Sequence, residues 1–204
     1  MQKRDLKKEM GGLYKTSVEP SRITVPELQY LMIDGQGAPG SKRHQHAIEA
    51  LFGISYKAKF AVKKTQELDY TVMPLQGLWW SDNLEDFVQD NRDKWKWTMM
   101  ILQPEWIDQT IIAEAAEQAR KKSGNPCLDR LRLEHYEEGL CGQILHVGPF
   151  SEEHPTIMKL HRFIEEQGGR FDGQTRKHHE IYLSDVRRVT PEKYRTIIRQ
   201  PYTK

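Results

Sequence analysis

The feature that most constrains the fold is an order of strands, Gly/Pro turn and helix that occurs twice along the chain. In the first copy, a β-rich stretch runs from Ile23 to Ile33 and ends in a glycine-rich turn at residues 34–40. Ser41 can then cap a helix whose apolar residues recur at helical spacing. After this helix, two extended pieces are predicted, Phe60–Val62 and Tyr70–Leu78.

The second copy keeps this order, although few residues are identical. Arg132–Tyr136 and Gln143–Val147 are predicted strands, and the turn Gly148-Pro149 leads into a helix with an apolar face between residues 157 and 164. The last predicted strand is His178–Leu183. Two such β-α-β-β modules each expose a sheet face that the other can cover. We therefore expect an α+β fold in which the modules pair about a pseudo-twofold axis and leave a concave seam between them.

The remaining segments complete the expected domain organisation. Lys94–Leu102 alternates apolar and polar residues and is predicted to be a strand, and Asp108 caps a predicted helix over Gln109–Lys122. We expect an N-terminal arm at residues 1–20, one domain at 21–188 and a C-terminal extension at 189–204. Within the domain, the modules are expected at about 21–80 and 130–188, linked by the strand and helix within 94–122.

Composition and charge exclude several classes of protein. Hydrophobic residues make up 37% of the chain and charged residues 29%, which is enough apolar material for a folded core. The formal net charge of +2 gives no general attraction to nucleic acid or to a membrane. No apolar run is long enough for a signal peptide or a membrane span, and Cys127 and Cys141 lack metal-finger spacing. These features predict a cytoplasmic protein with two free thiols.

The most informative segment is the strand His178–Leu183. Alternate side chains of a strand point to opposite faces, so Glu180 shares a face with His178 and Tyr182. Ile181 and Leu183 point the other way and are expected to meet the helices. Alternation alone does not separate a solvated surface acid from an acid inside a cleft.

Aromatic residues favour the cleft for Glu180. Many of them lie on or beside predicted strands: Tyr70, Trp79, Trp80, Trp95, Trp97, Trp106 and Tyr136. Rings at this density either fill a core or line a site for a flat ligand, and the seam between two facing modules is a place that they can line. A carboxylate in such a seam has a raised proton affinity or binds a cation against the rings.

Spacing argues against three other kinds of site. His44-Gln45-His46 and His178-His179 match no metal-binding motif, so neither a metal ion nor a cofactor is expected. Residues 35–42 place Ser41 before Lys42, the reverse of the order in a phosphate-binding loop. No Gly-x-Ser-x-Gly motif occurs, and neither cysteine is tied to a histidine partner, so no nucleophile is indicated.

Taken in order, four segments resemble the GyrI-like family of small-molecule-binding proteins. They are Val25–Gly37, Pro74–Trp80, Trp97–Trp106 and His179–Leu183, which together span about Ile23 to Arg188. The second segment has Gln76 where the family commonly has glutamate, a departure expected to alter loop contacts. The resemblance implies two β-α-β-β modules related by a pseudo-twofold axis, forming an antiparallel sheet with a ligand cleft between the halves and helices packed on the other face.

The resemblance also implies a function for Glu180. In drug-sensing members, a glutamate on the last strand meets cationic aromatic drugs, and Glu180 is the matching position. Some stand-alone members are hydrolases that open the cyclopropane ring of DNA-alkylating natural products. We therefore expect hydrolysis of a strained ring on a flat, hydrophobic xenobiotic, with Glu180 as general base and Tyr182 positioning the water or donating to the developing oxyanion.

Ligand-binding residues and alternatives complete this interpretation. The residues expected to contact the ligand are Tyr70, Trp79, Trp97, Tyr136 and His178. One alternative is a binding module without turnover, in which Glu180 neutralises a cationic drug during sensing or sequestration; another is an interaction protein similar to a gyrase inhibitor. The partners expected are a small hydrophobic aromatic ligand and, as one option, a second copy of the chain, without direct nucleic-acid binding or membrane contact.

Overall fold

A computed structural model describes residues 2–83 and 85–204; Met1, the first residue of the expected arm, and Leu84 lie outside the described residues. The strands are β1 Gln2–Arg4, β2 Ser21–Val25, β3 Leu28–Gln36, β4 Leu68–Tyr70, β5 Leu75–Trp80, β6 Lys96–Leu102, β7 Arg132–Tyr136, β8 Gly139–Val147, β9 His178–Tyr182 and β10 Arg195–Pro201. The α-helices are α1 Leu6–Glu9, α2 Gly11–Tyr14, α3 Lys42–Thr65, α4 Glu85–Val88, α5 Gln109–Arg120 and α6 His154–Glu166.

One eight-stranded sheet dominates the fold, and its strand order is symmetric about the middle. The order is β2-β8-β10-β9-β5-β6-β3-β7, and every neighbouring pair is antiparallel. The first module supplies β2, β3, α3, β5 and β6, and the second supplies β7, β8, α6, β9 and β10 in the same sequence. Exchanging the modules about the junction of β5 with β9 leaves the order unchanged, so the predicted pseudo-twofold α+β fold is confirmed.

The first strand of each module crosses to the other half of the sheet. β2 pairs with β8, and β7 pairs with β3. Each half of the sheet therefore takes its outermost strand from the other module. Because backbone hydrogen bonds of each half depend on both modules, we expect the two modules to fold as one cooperative unit.

The structure corrects three details of the expected organisation. β6, expected to link the modules and to extend the sheet, does extend it, but it lies inside the first half, where it pairs with β3 and β5. β10, expected to lie in a C-terminal extension, pairs with β8 and β9. The sequence pattern did not predict this strand, because it contains polar residues that are buried, such as Arg199, which forms an ion pair with Glu138. Phe60–Val62, expected to be extended, continue α3 to Thr65, where burial at Ala58 and Val62 follows the helical period.

The long helices α3 and α6 lie on the same face of the sheet as Glu180. Atoms of Leu160 and Ile164 in α6 would lie 2.9–3.0 Å from a Cβ added to Gly142, and strand register puts Gly142 on the Glu180 face. α3 begins over that face, where the His44 ring lies 5.7 Å from the Trp79 ring. This corrects the expected orientation, in which the helices would pack on the face of Ile181.

The N-terminal arm covers the opposite face of the sheet. Gln76 Nε2 donates a hydrogen bond to the Tyr14 hydroxyl at 3.0 Å, and Arg199 Nη2 donates to the carbonyl of Leu13 at 2.7 Å. Both faces of the central strands are thus buried, which explains why periodicity could not tell which face meets the long helices. The space above β5 and β9, between α3 and α6, is where Glu180 lies.

Candidate functional site

The candidate site lies at the centre of the sheet, where β5 meets β9. Gly77 is directly opposite Glu180, and Trp79 is directly opposite His178. Directly opposite residues of antiparallel strands project to the same face, so these side chains are neighbours. Gly77 is required here, because a Cβ atom would lie 2.9 Å from Trp79 Nε1 and 3.1 Å from the Tyr182 hydroxyl. We call His44, Trp79, Glu153, His178, Glu180 and Tyr182 the Glu180 site.

Hydrogen bonds orient the Glu180 carboxylate. His178 Nε2 lies 3.2 Å from Glu180 Oε1, and Trp79 Nε1 donates to the Tyr182 hydroxyl at 3.1 Å. Burial, and then the neighbouring Glu180 carboxylate, raise the pKa of Tyr182 well above its usual range, so the hydroxyl keeps its proton. The side chains of His178 and Glu180 are 18% and 14% exposed. Glu180 is therefore held by protein contacts and keeps a small part of its side chain exposed to solvent.

A second carboxyl group, which the sequence did not single out, faces Glu180. Glu153 precedes α6 and is only 5% exposed. Burial, and then the negative charge of Glu180, raise the pKa of Glu153 to about 9. Its Oε1 atom has no hydrogen-bond partner in the part of the chain that is described. At neutral pH, Glu153 is therefore an uncharged acid beside a carboxylate.

Two histidines with a buried ring nitrogen lie near these groups: His44 interacts with Glu180, and His161 interacts with His178. Burial lowers the pKa of His44 to about 4 while the charge of Glu180 opposes the shift, and burial with His178 and His154 nearby lowers the pKa of His161 to about 4. Both rings are therefore neutral at pH 7. In each ring, Nε2 is buried without a hydrogen-bond partner among residues 2–83 and 85–204.

Aromatic side chains form one edge of the Glu180 site. The Phe150 ring packs edge-on against Tyr182 with centroids 5.7 Å apart, and it lies 5.4 Å from the Tyr194 ring. Phe150 is 43% exposed, unlike the buried Trp79 at the floor of the site. Phe150 therefore adds exposed ring surface beside Tyr182 at the edge of the Glu180 site.

A buried ionic network on the opposite face supports the strand that carries Glu180. His179 Nδ1 donates to Glu138 Oε1 at 2.8 Å, and Arg199 Nη1 donates to Glu138 Oε2 at 3.0 Å. Burial alone would raise the pKa of Glu138, but its two partners lower it to about 2. His179 Nε2 lies 3.0 Å from Gln76 Oε1. Gln76 therefore contacts this network within β5, which corrects the expected effect on loop contacts.

The structure brings together only some of the residues predicted from sequence. Glu180, Tyr182, Trp79 and His178 lie together as described above. Trp97 is fully buried beneath the site, where its ring meets His44 edge-on at 5.3 Å. As a core residue, it supports the ring of His44.

Tyr70 and Tyr136 lie elsewhere. Tyr70 is buried and packs edge-on against Trp106, with centroids 6.2 Å apart. Trp106 lines a cavity of about 160 Å³ beside the N-terminal arm, and no residue of the Glu180 site lines that cavity. Strand register from β7 across β3, β6 and β5 to β9 puts Tyr136 on the face of Ile181. The structure therefore places neither tyrosine beside Glu180. Alternation could not show this, because it relates side chains only within one strand.

Residues 2–83 and 85–204 contain no group of three or more His, Cys, Asp or Glu side chains placed to hold a metal ion. Over the same residues, no helix combines the length and apolar character that crossing a membrane requires. Cys127 and Cys141 are both buried as free thiols.

Comparison with known proteins gives a family match and several similar structures. The GyrI-like small molecule binding domain family matches residues 19–202. An uncharacterized conserved protein from Listeria innocua is 42% identical with a TM-score of 0.89, covering 98% of this chain and 99% of that one. A hydrolase from Listeria innocua is 41% identical with a TM-score of 0.84, again covering 98% and 99%.

More distant similarity is limited to the fold. The C-terminal domain of EcmrR is 12% identical with a TM-score of 0.55, covering 91% of this chain and 98% of that domain. No curated protein matches the sequence. The residues of the Glu180 site, from His44 to Tyr182, all lie inside the region that the family matches. The chain belongs to the GyrI-like family of small-molecule-binding domains.

Proposed function

We propose that this protein hydrolyses a strained, electrophilic ring on a flat hydrophobic molecule, with Glu180 as general base and Glu153 as general acid. The observation that carries the proposal is the pair of carboxyl groups. Glu153 keeps its proton because burial and the charge of Glu180 raise its pKa to about 9. Two adjacent carboxyl groups in opposite protonation states are the arrangement that general acid–base catalysis requires.

The reaction can be written with a three-membered ring conjugated to a carbonyl group. Glu180 takes a proton from water as the water oxygen bonds to the ring carbon. The ring carbon–carbon bond breaks, and its electron pair moves through the conjugated system to the carbonyl oxygen, which takes the proton of Glu153. The product is the substrate plus one water. A proton then passes from Glu180 to Glu153, which restores the starting state.

The remaining site residues have roles that suit this chemistry. His178 Nε2, at 3.2 Å from Glu180 Oε1, orients the carboxylate toward the water. The Tyr182 hydroxyl accepts from Trp79 Nε1 and donates its own proton to the Glu180 carboxylate, so we assign it to positioning that carboxylate and not to the oxyanion role expected from sequence. Trp79 and Phe150 offer ring surface for a flat substrate. The hydrolase from Listeria innocua, at 41% identity over almost the whole chain, supports an assignment to hydrolysis.

The rival function is binding without turnover, in which the single negative charge at Glu180 holds a cationic aromatic drug against Trp79. Incubation with a cyclopropane-containing alkylating agent separates the two. Mass spectrometry would detect the ring-opened hydrate, and tryptophan fluorescence would report binding. Hydrate formation above the buffer rate is expected from the wild type.

Three variants test the roles of the residues. Glu180→Gln and Glu153→Gln should each slow hydrate formation about 10²-fold or more, the usual contribution of a general acid or base. Glu165→Gln, which changes an exposed acid on α6, is the matched control and should keep full activity. Binding without any hydrate would establish the rival function. Unchanged activity in Glu180→Gln would overturn the mechanism while leaving the activity in place.

A further inference from the structure

The position of His44 in the Glu180 site follows from the start of α3. The chain turns at Gly37 and Gly40, whose φ angles of +113° and +77° suit glycine. Ser41 then caps the helix, with its hydroxyl accepting from the backbone N–H of His44 at 3.4 Å. This geometry directs the His44 side chain inward, where it is 9% exposed.

The hydrogen bonds of His44 determine which ring nitrogen carries the proton. The backbone N–H of Gly40 donates to His44 Nδ1 at 3.2 Å, so Nδ1 presents a lone pair. Burial lowers the pKa of His44 to about 4, and the ring is therefore neutral at pH 7. A neutral imidazole carries one proton, which must then lie on Nε2. His44 thus presents an N–H donor on the side of the ring away from Gly40.

This donor has no partner among residues 2–83 and 85–204. The Nε2 atom that carries it is buried. A buried donor without a partner is costly, so native proteins rarely keep one unless water or a ligand satisfies it. Two indole rings fix the plane of the imidazole: Trp79 lies 5.7 Å away at an angle of 31°, and Trp97 lies 5.3 Å away at 90°. The donor direction is therefore preorganised.

We propose that His44 Nε2–H forms a subsite for the carbonyl oxygen of a neutral, planar ligand that lies against Trp79. A neutral N–H donor favours an acceptor atom and gives nothing to a protonated amine. This deepens the proposed function, on which it rests for the position of the cleft. A carbonyl conjugated to the strained ring would be polarised by this hydrogen bond, as developing negative charge on oxygen is stabilised by a fixed donor.

Binding of fluorenone and fluorene tests the subsite without requiring turnover. Both are flat and tricyclic, but only fluorenone carries a carbonyl. The wild type should bind fluorenone about tenfold more tightly than fluorene, the effect of one net hydrogen bond. His44→Phe keeps a ring but removes the donor, and it should bind both equally. His44→Gln, which keeps an N–H at similar reach, should restore part of the preference, and His46→Phe on the same helix is the control.

Side-chain ¹⁵N spectra supply a second readout. His44 should show a protonated Nε2 and an unprotonated Nδ1 in the free protein, and fluorenone should shift the Nε2 signal whereas fluorene should not. The inference is overturned if neither compound binds, if His44→Phe keeps the preference, or if Nε2 does not respond to fluorenone. The last result would mean that buried water or the Trp97 ring satisfies the donor. If the preference is present and cyclopropane hydrolysis is absent, the subsite stands and the proposed hydrolysis fails.

Discussion

Replacing Glu153 with glutamine should stabilise the folded protein while it removes the proposed acid. In the folded state, burial and the charge of Glu180 raise the pKa of Glu153 to about 9, from an ordinary value of 4.5. The unfolded chain therefore releases this proton above pH 4.5, whereas the folded chain keeps it until about pH 9. Between these limits the folded state binds more protons, so rising pH favours unfolding.

The size of the effect follows from the same two values. Each pH unit inside the window costs the wild type about 1.4 kcal/mol. At pH 7, which is 2.5 units above 4.5, the upper limit is about 3 kcal/mol. Glu153 is only 5% exposed, so screening by solvent removes little of this cost. Glu153→Gln has no proton to release and should escape the penalty while keeping the shape of the side chain.

Urea unfolding followed by tryptophan fluorescence at pH 5, 6, 7 and 8 measures this difference. The advantage of Glu153→Gln over the wild type should be small at pH 5 and should grow with each unit of pH. Glu165→Gln, on the exposed side of α6, should match the wild type at every pH. A difference that does not change with pH, or one that favours the wild type at pH 8, would refute the argument that Glu153 is protonated beside Glu180.

Three further predictions concern the support of the site. Gly77→Ala should lower the free energy of unfolding by about 1–3 kcal/mol and should also lower activity, because the new Cβ would lie 2.5 Å from the Met99 side chain. Gly53→Ala in α3 is the control for thermal unfolding and should lower neither, because no atom lies within 4 Å of its Cβ. Glu138→Gln should destabilise the protein by about 3–5 kcal/mol in urea unfolding, because it leaves buried Arg199 without its ionic partner; an unchanged midpoint would contradict this. The wild type should lose stability relative to His161→Asn as pH falls from 6.5 toward 4, by at most about 1.4 kcal/mol per pH unit. The reason is that the pKa of His161 is about 4 in the folded protein, so only the unfolded chain takes up a proton in this range. Parallel pH profiles of the two proteins would show that folded His161 does not have this lowered pKa.

The sequence determined the local part of the site. Alternation along β9 placed His178, Glu180 and Tyr182 on one face, and the structure keeps them there. The repeated order of strands, turn and helix predicted two modules related by a pseudo-twofold axis, which the symmetric strand order confirms. These features depend on residues close together in the chain, where the geometry of a strand or a helix relates spacing directly to direction.

The tertiary structure decided which local faces meet. Tyr136 lies on a predicted strand and was expected to contact the ligand, but the register across four strand pairs puts its side chain on the face of Ile181. Glu153 resembles its exposed neighbour Glu152 in sequence, and only the packing of α6 over the sheet brings it to Glu180 and raises its pKa. Such contacts join residues far apart in the chain, and their existence depends on strand pairing and helix packing that no local period encodes.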